Sequence, residues 1–324
     1  MFSLEEEKLP VDRPVLVVDY SWLYRRSYHT FTDLYVDRIR EGVSRRIFTG
    51  SMYGVVSHLG QLMIRYNCPV YIAIEPKHNR RRYELKPDYK GNRDKSDPAL
   101  PAIFELYHET LNALALYKDV HIITAPDNCD GEADDVIFSF LLEHNKIFNK
   151  FLVFSNDKDL MQSAKDPDIR DKAFYVSVGE PGEISFEKRC MDDFGVSPEN
   201  VLLYRAIVGD SSDNLKAPVP RFNRELARSI ANTVKTPDQI WSHYMIENPP
   251  VKKSDQEWMV KLAGQKDKLA VNYEVMTLQH VLCEKREYKK ADKNIGYFWM
   301  EYAMNEFMQL YEARNNETPK ISVI

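Results

Sequence analysis

Apolar runs that end in an acid set the pattern of the first half of the chain. Val15-Leu16-Val17-Val18 runs into Asp19, Tyr71-Ile72-Ala73-Ile74 into Glu75, and Phe151-Leu152-Val153-Phe154 into Ser155-Asn156-Asp157. Unbroken runs of this kind, rich in β-branched and aromatic residues, predict strands covered on both faces of a parallel sheet. Between them the apolar period becomes helical. Trp22, Leu23 and Tyr28 mark one helix, and Val55, Val56, Leu59, Leu62 and Met63 mark another over residues 51–66. Ile103, Leu106, Leu111 and Leu114 follow Pro101, and Phe138, Leu141 and Leu142 belong to a helix opening at Glu132. Residues 120–124 predict a short strand, 173–178 an edge strand, and 32–46 a polar, basic loop. From about Ser197 helices alone are predicted, over 198–208, 224–234, 237–246, 256–282 and, rich in aromatics, 297–311. The fold class is therefore α/β, a mostly parallel sheet with helices on both faces. It spans residues 12–196, between a tail at 1–11 and a helical region at 197–324.

Composition changes this picture little. A chain of 324 residues with 44% hydrophobic and 29% charged positions describes an ordinary globule, with no apolar stretch long enough to cross a bilayer. The acidic start lacks the basic-then-apolar order of a signal peptide, so a cytoplasmic location is expected, that of the host if a phage encodes the chain. Cys68, Cys129, Cys190 and Cys283 are far apart, which favours reduced thiols over disulfides or a zinc site. Charge distribution tells more than the net −5. Between Lys77 and Lys95 stand eight cations (Lys77, Arg80, Arg81, Arg82, Lys86, Lys90, Arg93 and Lys95) against three anions, with Tyr83 and Tyr89 interleaved. Cations that neutralise phosphates beside aromatics that stack on bases are the footprint of nucleic-acid binding. The alternative is a solvated loop that serves only solubility.

The acids carry the chemistry. In open parallel sheets ligands bind beyond the carboxyl ends of the strands, so Asp19, Glu75, Asp157 and Asp159 are delivered to one edge. Glu132, Asp134 and Asp135 open a helix, and Asp210 and Asp213, at i,i+3 spacing, are expected to open another. Helix capping accounts for one or two of these. Nine carboxylates in one place need a compensating cation, and oxygen donors without histidine or cysteine favour two Mg²⁺ ions, with Mn²⁺ able to substitute. Such a pair, about 3.5–4 Å apart, suits in-line displacement at phosphorus. Lys90 or Arg82 is expected to supply the further positive charge that the reaction needs.

These residues resemble the structure-specific 5′ nucleases, the flap endonucleases and the 5′-to-3′ exonuclease domains of bacterial polymerases. The likeness is carried by Gly131-Glu132-Ala133-Asp134-Asp135, Ser155-x-Asp157-x-Asp159 and Gly209-Asp210-x-x-Asp213-Asn214. Arg82-x-Glu84-x-x-Pro87-x-Tyr89-Lys90-x-x-Arg93 is similar to the family's basic arch, here about 76–100. The likeness covers about residues 12–235, and size, loops and helical tail are most similar to the phage 5′ nucleases called ribonuclease H. It implies Mg²⁺-dependent hydrolysis at the 5′ end of RNA or DNA strands, in primer removal, exonuclease and flap cutting. Arg80, Arg81, Tyr83, Lys86, Tyr89 and Arg93 would contact nucleic acid. Two departures stand out. Glu75 replaces the usual Asp, and Leu215-Lys216-Ala217-Pro218-Val219-Pro220-Arg221-Phe222 replaces a glycine-rich hairpin, leaving Lys216, Arg221 and Arg224 as phosphate contacts. Branched or nicked DNA and RNA–DNA hybrid are the implied partners. A monomer is expected, and a single-strand-binding protein and a sliding clamp, docked by the apolar residues of Met1-Phe2-Ser3-Leu4, are further candidates. A ribonuclease of the PIN type and a non-catalytic junction binder are the alternatives.

Overall fold

The computed structural model describes residues 13–40, 42–93, 100–117, 119–179 and 182–286. The tail at 1–11 and the aromatic-rich segment at 297–311 lie outside the described residues, as does Lys95. In chain order the first layer of elements is β1 (Pro14–Asp19), α1 (Tyr20–Thr30), β2 (Tyr35–Arg40), β3 (Val43–Phe48), α2 (Gly50–Tyr66) and β4 (Val70–Ala73). Then come α3 (Arg80–Leu85), α4 (Leu100–Phe104), α5 (Tyr107–Leu114), β5 (Val120–Thr124), α6 (Ala133–His144) and β6 (Lys150–Phe154). A 3₁₀ turn at Asp159–Lys165 leads to α7 (Pro167–Arg170), β7 (Ala173–Val176), β8 (Glu183–Ser185), α8 (Phe186–Phe194) and α9 (Pro198–Val208). The remainder is β9 (Gly209–Asp210), β10 (Leu215–Lys216), α10 (Arg224–Thr233), α11 (Pro237–Ser242), α12 (Lys253–Ala263), α13 (Lys266–Met276) and β11 (Glu284–Lys285).

The sheet runs in the order β11-β5-β4-β1-β6-β7-β8. Its five central strands are parallel and only the two edges are antiparallel. Alternation along β1 feeds two cores. Val15 and Val17 pack with Val136, Ile137 and Phe140 of α6, while Leu16 and Val18 pack with Val55, Leu59 and Leu62 of α2. Each of these four β1 residues is fully buried, so the strand is apolar throughout and the first polar group the chain can expose is Asp19 at its end.

Several expectations need correction. Residues 35–48 form a β-hairpin, β2 with β3, rather than a loop. The hairpin carries Arg38, Arg45 and Arg46 and is mostly exposed, so no buried apolar face marked its two-residue period. The helix expected over 256–282 is two, broken between Ala263 and Lys266. Likewise α4 and α5 replace one helix after Pro101. The strand at 173 is not the edge, because β8 pairs outside it. The helical region is not helical alone, since β11 returns to pair with β5. Asp210 and Asp213 open no helix. They stand on a tight hairpin, β9 with β10, that begins at Gly209 with φ +79°. A Cβ there would lie 2.4 Å from the backbone nitrogen of Ala217, so only glycine fits. Among the described residues no helix is long and apolar enough to cross a membrane.

The hairpin's dependence on Gly209 gives a test. Gly209→Ala should lower unfolding free energy by about 1–3 kcal/mol in chemical denaturation, from backbone strain and the steric clash together. An unchanged midpoint would show that the turn relaxes without cost.

Candidate active site

The carboxyl ends of β1, β4 and β6 bring their acids to one edge, as an open parallel sheet must. Asp19 closes β1 and caps α1, accepting from the Trp22 backbone N–H at 3.0 Å and from Ser155 Oγ at 3.1 Å. Glu75 stands two residues past β4 and accepts from the Ala133 N–H at 2.9 Å, so it stitches β4 to the start of α6. Asp157 and Asp159 follow β6, with the Asp159 N–H donating to Asp157 Oδ1 at 2.8 Å.

Six of the nine acids, Asp19, Glu75, Asp157, Asp159, Asp210 and Asp213, line a single cleft of about 710 Å³. Arg25, Arg26, Lys90, Arg93, Lys158 and Arg205 line it too, so cations share its walls with the carboxylates. Glu132, Asp134 and Asp135 lie behind this surface, buried at the first turn of α6. There Asp135 is saturated. Its two oxygens take both terminal nitrogens of Arg82, at 2.6 and 3.0 Å, the Glu132 N–H at 2.9 Å and the Gln279 N–H at 2.7 Å. A carboxylate so occupied orients its neighbours rather than offering oxygens to a ligand.

Arg82 was expected beside the reacting group, and the structure places it elsewhere. It is 3% exposed, does not line the cleft, and also reaches Glu132 and Asp134 at 3.3 and 3.5 Å. Lys90 does line it, with its ammonium 2.6 Å from Glu132 Oε1 and 4.9 Å from the centre of the Tyr89 ring. Tyr89 is buried, its hydroxyl donating between Glu132 and Asp213 at 3.0 Å each, so it presents no face to a base. Arg93 holds Asp213 at 3.0 Å, and the Lys90 N–H donates to the Asp213 carbonyl at 3.0 Å. The later part of the basic segment, at Lys90 and Arg93, is thus pinned to the β9–β10 hairpin. Arg80 pairs with Asp130, Arg81 with Glu274, and Lys86 with Asp88, while Tyr83 is exposed and meets Tyr89 edge-on. Lys216, on β10 of the hairpin, and Arg221 and Arg224 after it are exposed, away from the cleft lining.

Arg205 escaped the sequence reading. It is 5% exposed on α9 and its guanidinium bridges Asp159 and Asp210. The available signal was a lone cation inside Val201-Leu202-Leu203-Tyr204-Arg205-Ala206-Ile207-Val208, which a buried helix face tolerates only when paired.

Even with these cations the acids are under strain. Burial, reinforced by Glu75 and Asp157, pushes Asp19 up to about 7. Burial, with Asp157 and Asp213 adding to it, pushes Asp159 up to about 7 against the pull of Arg205. Asp134 and Asp157 are raised for the same first reason, whereas Arg82 and Lys90 overcome burial at Glu132 and hold it below the usual range. Among the described residues no three of these side chains converge closely enough to hold an ion as they stand. Their chemistry nevertheless fits a hard cation. The donors are all carboxylate oxygens, and a divalent charge would relieve the repulsion that raises Asp19 and Asp159.

A family model described as the 5′-3′ exonuclease N-terminal, resolvase-like domain matches residues 14–189. The chain belongs to that family. A 5′-3′ exonuclease of Mycoplasmopsis pulmonis is 26% identical over 231 residues, covering 70% of this chain and 68% of that one. DNA polymerase I of Bacillus caldotenax is 24% identical over 233 residues, 70% of this chain but only 24% of the polymerase. The bacteriophage T5 D15 flap endonuclease, solved with DNA and metal ions, superposes with a TM-score of 0.59 at 19% identity, over 82% of this chain and 89% of that one. The protein is therefore a 5′ nuclease, a hydrolase of nucleic acid, on the mostly parallel α/β fold of this family.

The raised acids predict a pH dependence. Above the ordinary histidine pKa of about 6.5, buried His121, held down at about 4, no longer changes protonation in either state. Asp19 and Asp159 still lose protons from the folded chain through about 7, while in the unfolded chain they are already ionised. The folded state therefore binds more protons, and stability falls as pH rises through 7. In EDTA the melting temperature should drop between about pH 6.5 and 8.5, and saturating Mg²⁺ should reduce that drop. A flat or rising profile in EDTA would contradict the placement of these acids.

Proposed function

We propose that this 5′ nuclease is Mg²⁺-dependent, using two ions for which Mn²⁺ can substitute, and hydrolyses phosphodiesters at the 5′ end of RNA or DNA strands paired to a template. Primer removal during DNA replication, by 5′-to-3′ exonuclease and flap-cutting steps, is the role that fits such a substrate. The observation that carries the reading is the cleft itself, where six carboxylates from four parts of the chain share the walls with Lys90 and Arg93.

Asp19, Asp157, Asp159 and Asp210 would hold the ions, with Glu75 reaching from the wall and Glu132 and Asp134 behind them. Bound there, divalent ions would supply a nucleophile at neutral pH and stabilise charge on the attacking and leaving oxygens. The remaining work falls to the chain. Lys90, drawn down by Glu132, stands where an ammonium can meet a non-bridging phosphate oxygen. Arg25 and Arg26, about two turns along α1 from Asp19, line the cleft for the neighbouring phosphates of the strand. Arg82 holds Asp135, Glu132 and Asp134 in register and, with Lys90, keeps Glu132 ionised. Lys216, Arg221 and Arg224 suit duplex contacts outside the cleft. A monomer meeting branched or nicked DNA and RNA–DNA hybrid, brought there by a sliding clamp, is the assembly that this role calls for.

Single-turnover cleavage of a 5′-labelled flap, against nicked and single-stranded controls, tests the reading. The wild-type chain should require Mg²⁺ and prefer the flap. Asp157→Asn should cut the rate roughly 100-fold or more while leaving affinity for the flap intact. Near-normal cleavage by Asp157→Asn would remove that residue from the centre. Metal-independent cleavage would remove the ions.

A further inference from the structure

The segment from Leu215 to Arg224 lies outside the active cleft and turns from β10 into α10 without a glycine. Lys216, Arg221 and Arg224 are exposed on it, and no acid interrupts them. Between these cations Leu215, Pro218, Val219 and Phe222 are buried, with Phe222 edge-on to Trp258 of α12 at 5.5 Å. Pro218 and Pro220 each lock one φ angle. Arg221 sits at φ +56°, a left-handed conformation that a residue other than glycine keeps only where its surroundings over-determine it. The three cations are thus carried on a rigid turn.

Two side chains of α13 hold that turn. Lys268 donates from its ammonium to the Ala217 carbonyl at 2.9 Å. Asn272, four residues on and therefore on the same helix face, is 1% exposed and spends its amide on two carbonyls. One is that of Lys216 at 3.1 Å, and the other that of Ala206, in the last turn of α9, at 3.2 Å. Two successive carbonyls of the turn are drawn toward α13, and its cations are left in solvent. The far end of the same helix is tied to the supports of the acids. The carbonyls of Glu274, Val275 and Met276 accept from Arg81 at 2.9 Å, Arg82 at 3.2 Å and Gln162 at 2.9 Å. Arg82 holds Asp135, and Gln162 also donates to Asp159 at 3.2 Å. From Lys268 to Met276 the helix rises about 12 Å. One short helix therefore sets the distance between the cationic turn and the acids.

We propose that Lys268 and Asn272 are positioning residues for a duplex grip. They hold the turn so that Lys216, Arg221 and Arg224 meet backbone phosphates in register with the cleft, and neither touches the nucleic acid itself. Phosphates of a duplex stand at fixed spacing, so misplaced cations lose them, whereas a single strand adapts to cations wherever they stand. The inference rests on the reading of Lys216, Arg221 and Arg224 as duplex contacts.

Fluorescence anisotropy of the full chain in EDTA, with a labelled blunt DNA duplex and with one of its strands alone, tests the inference. Lys268→Met keeps the aliphatic stem and removes the ammonium. It should weaken duplex binding roughly tenfold and single-strand binding by less than about twofold. In a background where Lys216, Arg221 and Arg224 are all replaced by Gln, the same change should cost less than about twofold, because no grip is left to position. In Mg²⁺, Lys268→Met should raise KM for a 5′ flap roughly tenfold and leave kcat within about twofold. Asn272→Ala should follow the same pattern, and if it fails to fold, Lys268→Met decides alone. Unchanged duplex binding by Lys268→Met, an equal loss in both backgrounds, or a fall in kcat at constant KM overturns the inference. Duplex binding that survives the triple Gln replacement sinks the duplex-contact reading first, and the inference with it.

Discussion

The guanidinium of Arg82 is the interaction on which the arrangement of acids depends. It lies buried among Glu132, Asp134 and Asp135 and spends its remaining donor on the Val275 carbonyl at 3.2 Å. Three carboxylates in the first turn of α6 would repel one another at close quarters and resist burial. One planar cation with a fixed fork of donors holds two oxygens of Asp135 and leaves Glu132 ionised. The same contact ties three distant parts of the chain together, since Arg82 belongs to α3, Asp135 to α6 and Val275 to α13. The basic segment that leads on to Lys90 therefore starts from a fixed point. Arg205 repeats the device from α9, clamping Asp159 to Asp210.

Charge balance then explains how a chain of net −5 faces phosphate. The cations of the basic segment are largely matched by carboxylates, so this stretch is not a free positive arm but half of an ion-pair network. Lys90 and Arg93 are held down on Glu132 and Asp213, and Asn92 and Asn214 add backbone contacts across the same seam at 2.8 Å each. The cost is paid by Asp19 and Asp159, which burial leaves short of compensation and therefore receptive to an added cation.

The strands were legible because burial on both faces leaves only apolar residues, and the acids because a carboxylate that ends such a run is costly without a partner. The pattern of Val15 to Asp19 carries both messages at once. The hairpin of β2 and β3 was illegible for the opposite reason, since its strands are mostly exposed and charged residues such as Arg45 and Arg46 give neither period. Which acids face the cleft was also hidden. Asp134 and Asp135 are adjacent in sequence, yet what occupies Asp135 is Arg82, 53 residues away, and Gln279, 144 away. The role of Arg82 depends on that same distant pairing, so its place in a cationic run suggested substrate contact where the fold makes it a strut. Gly209 likewise looked like the start of a helix, and only the approach of Ala217 shows why it turns.

A double-mutant cycle between Arg82 and Asp135 measures the central interaction most directly. Arg82→Met, Asp135→Leu and the pair together would be compared with the wild type by chemical denaturation. Arg82→Met strands buried carboxylate and should cost about 3–5 kcal/mol. Asp135→Leu leaves Arg82 only its longer carboxylate contacts, to Glu132 and Asp134, and the double variant should cost far less than the sum of the two. The coupling should therefore reach about 2 kcal/mol or more. Additive losses, with coupling below about 0.5 kcal/mol, would show that the two side chains are neighbours without depending on one another.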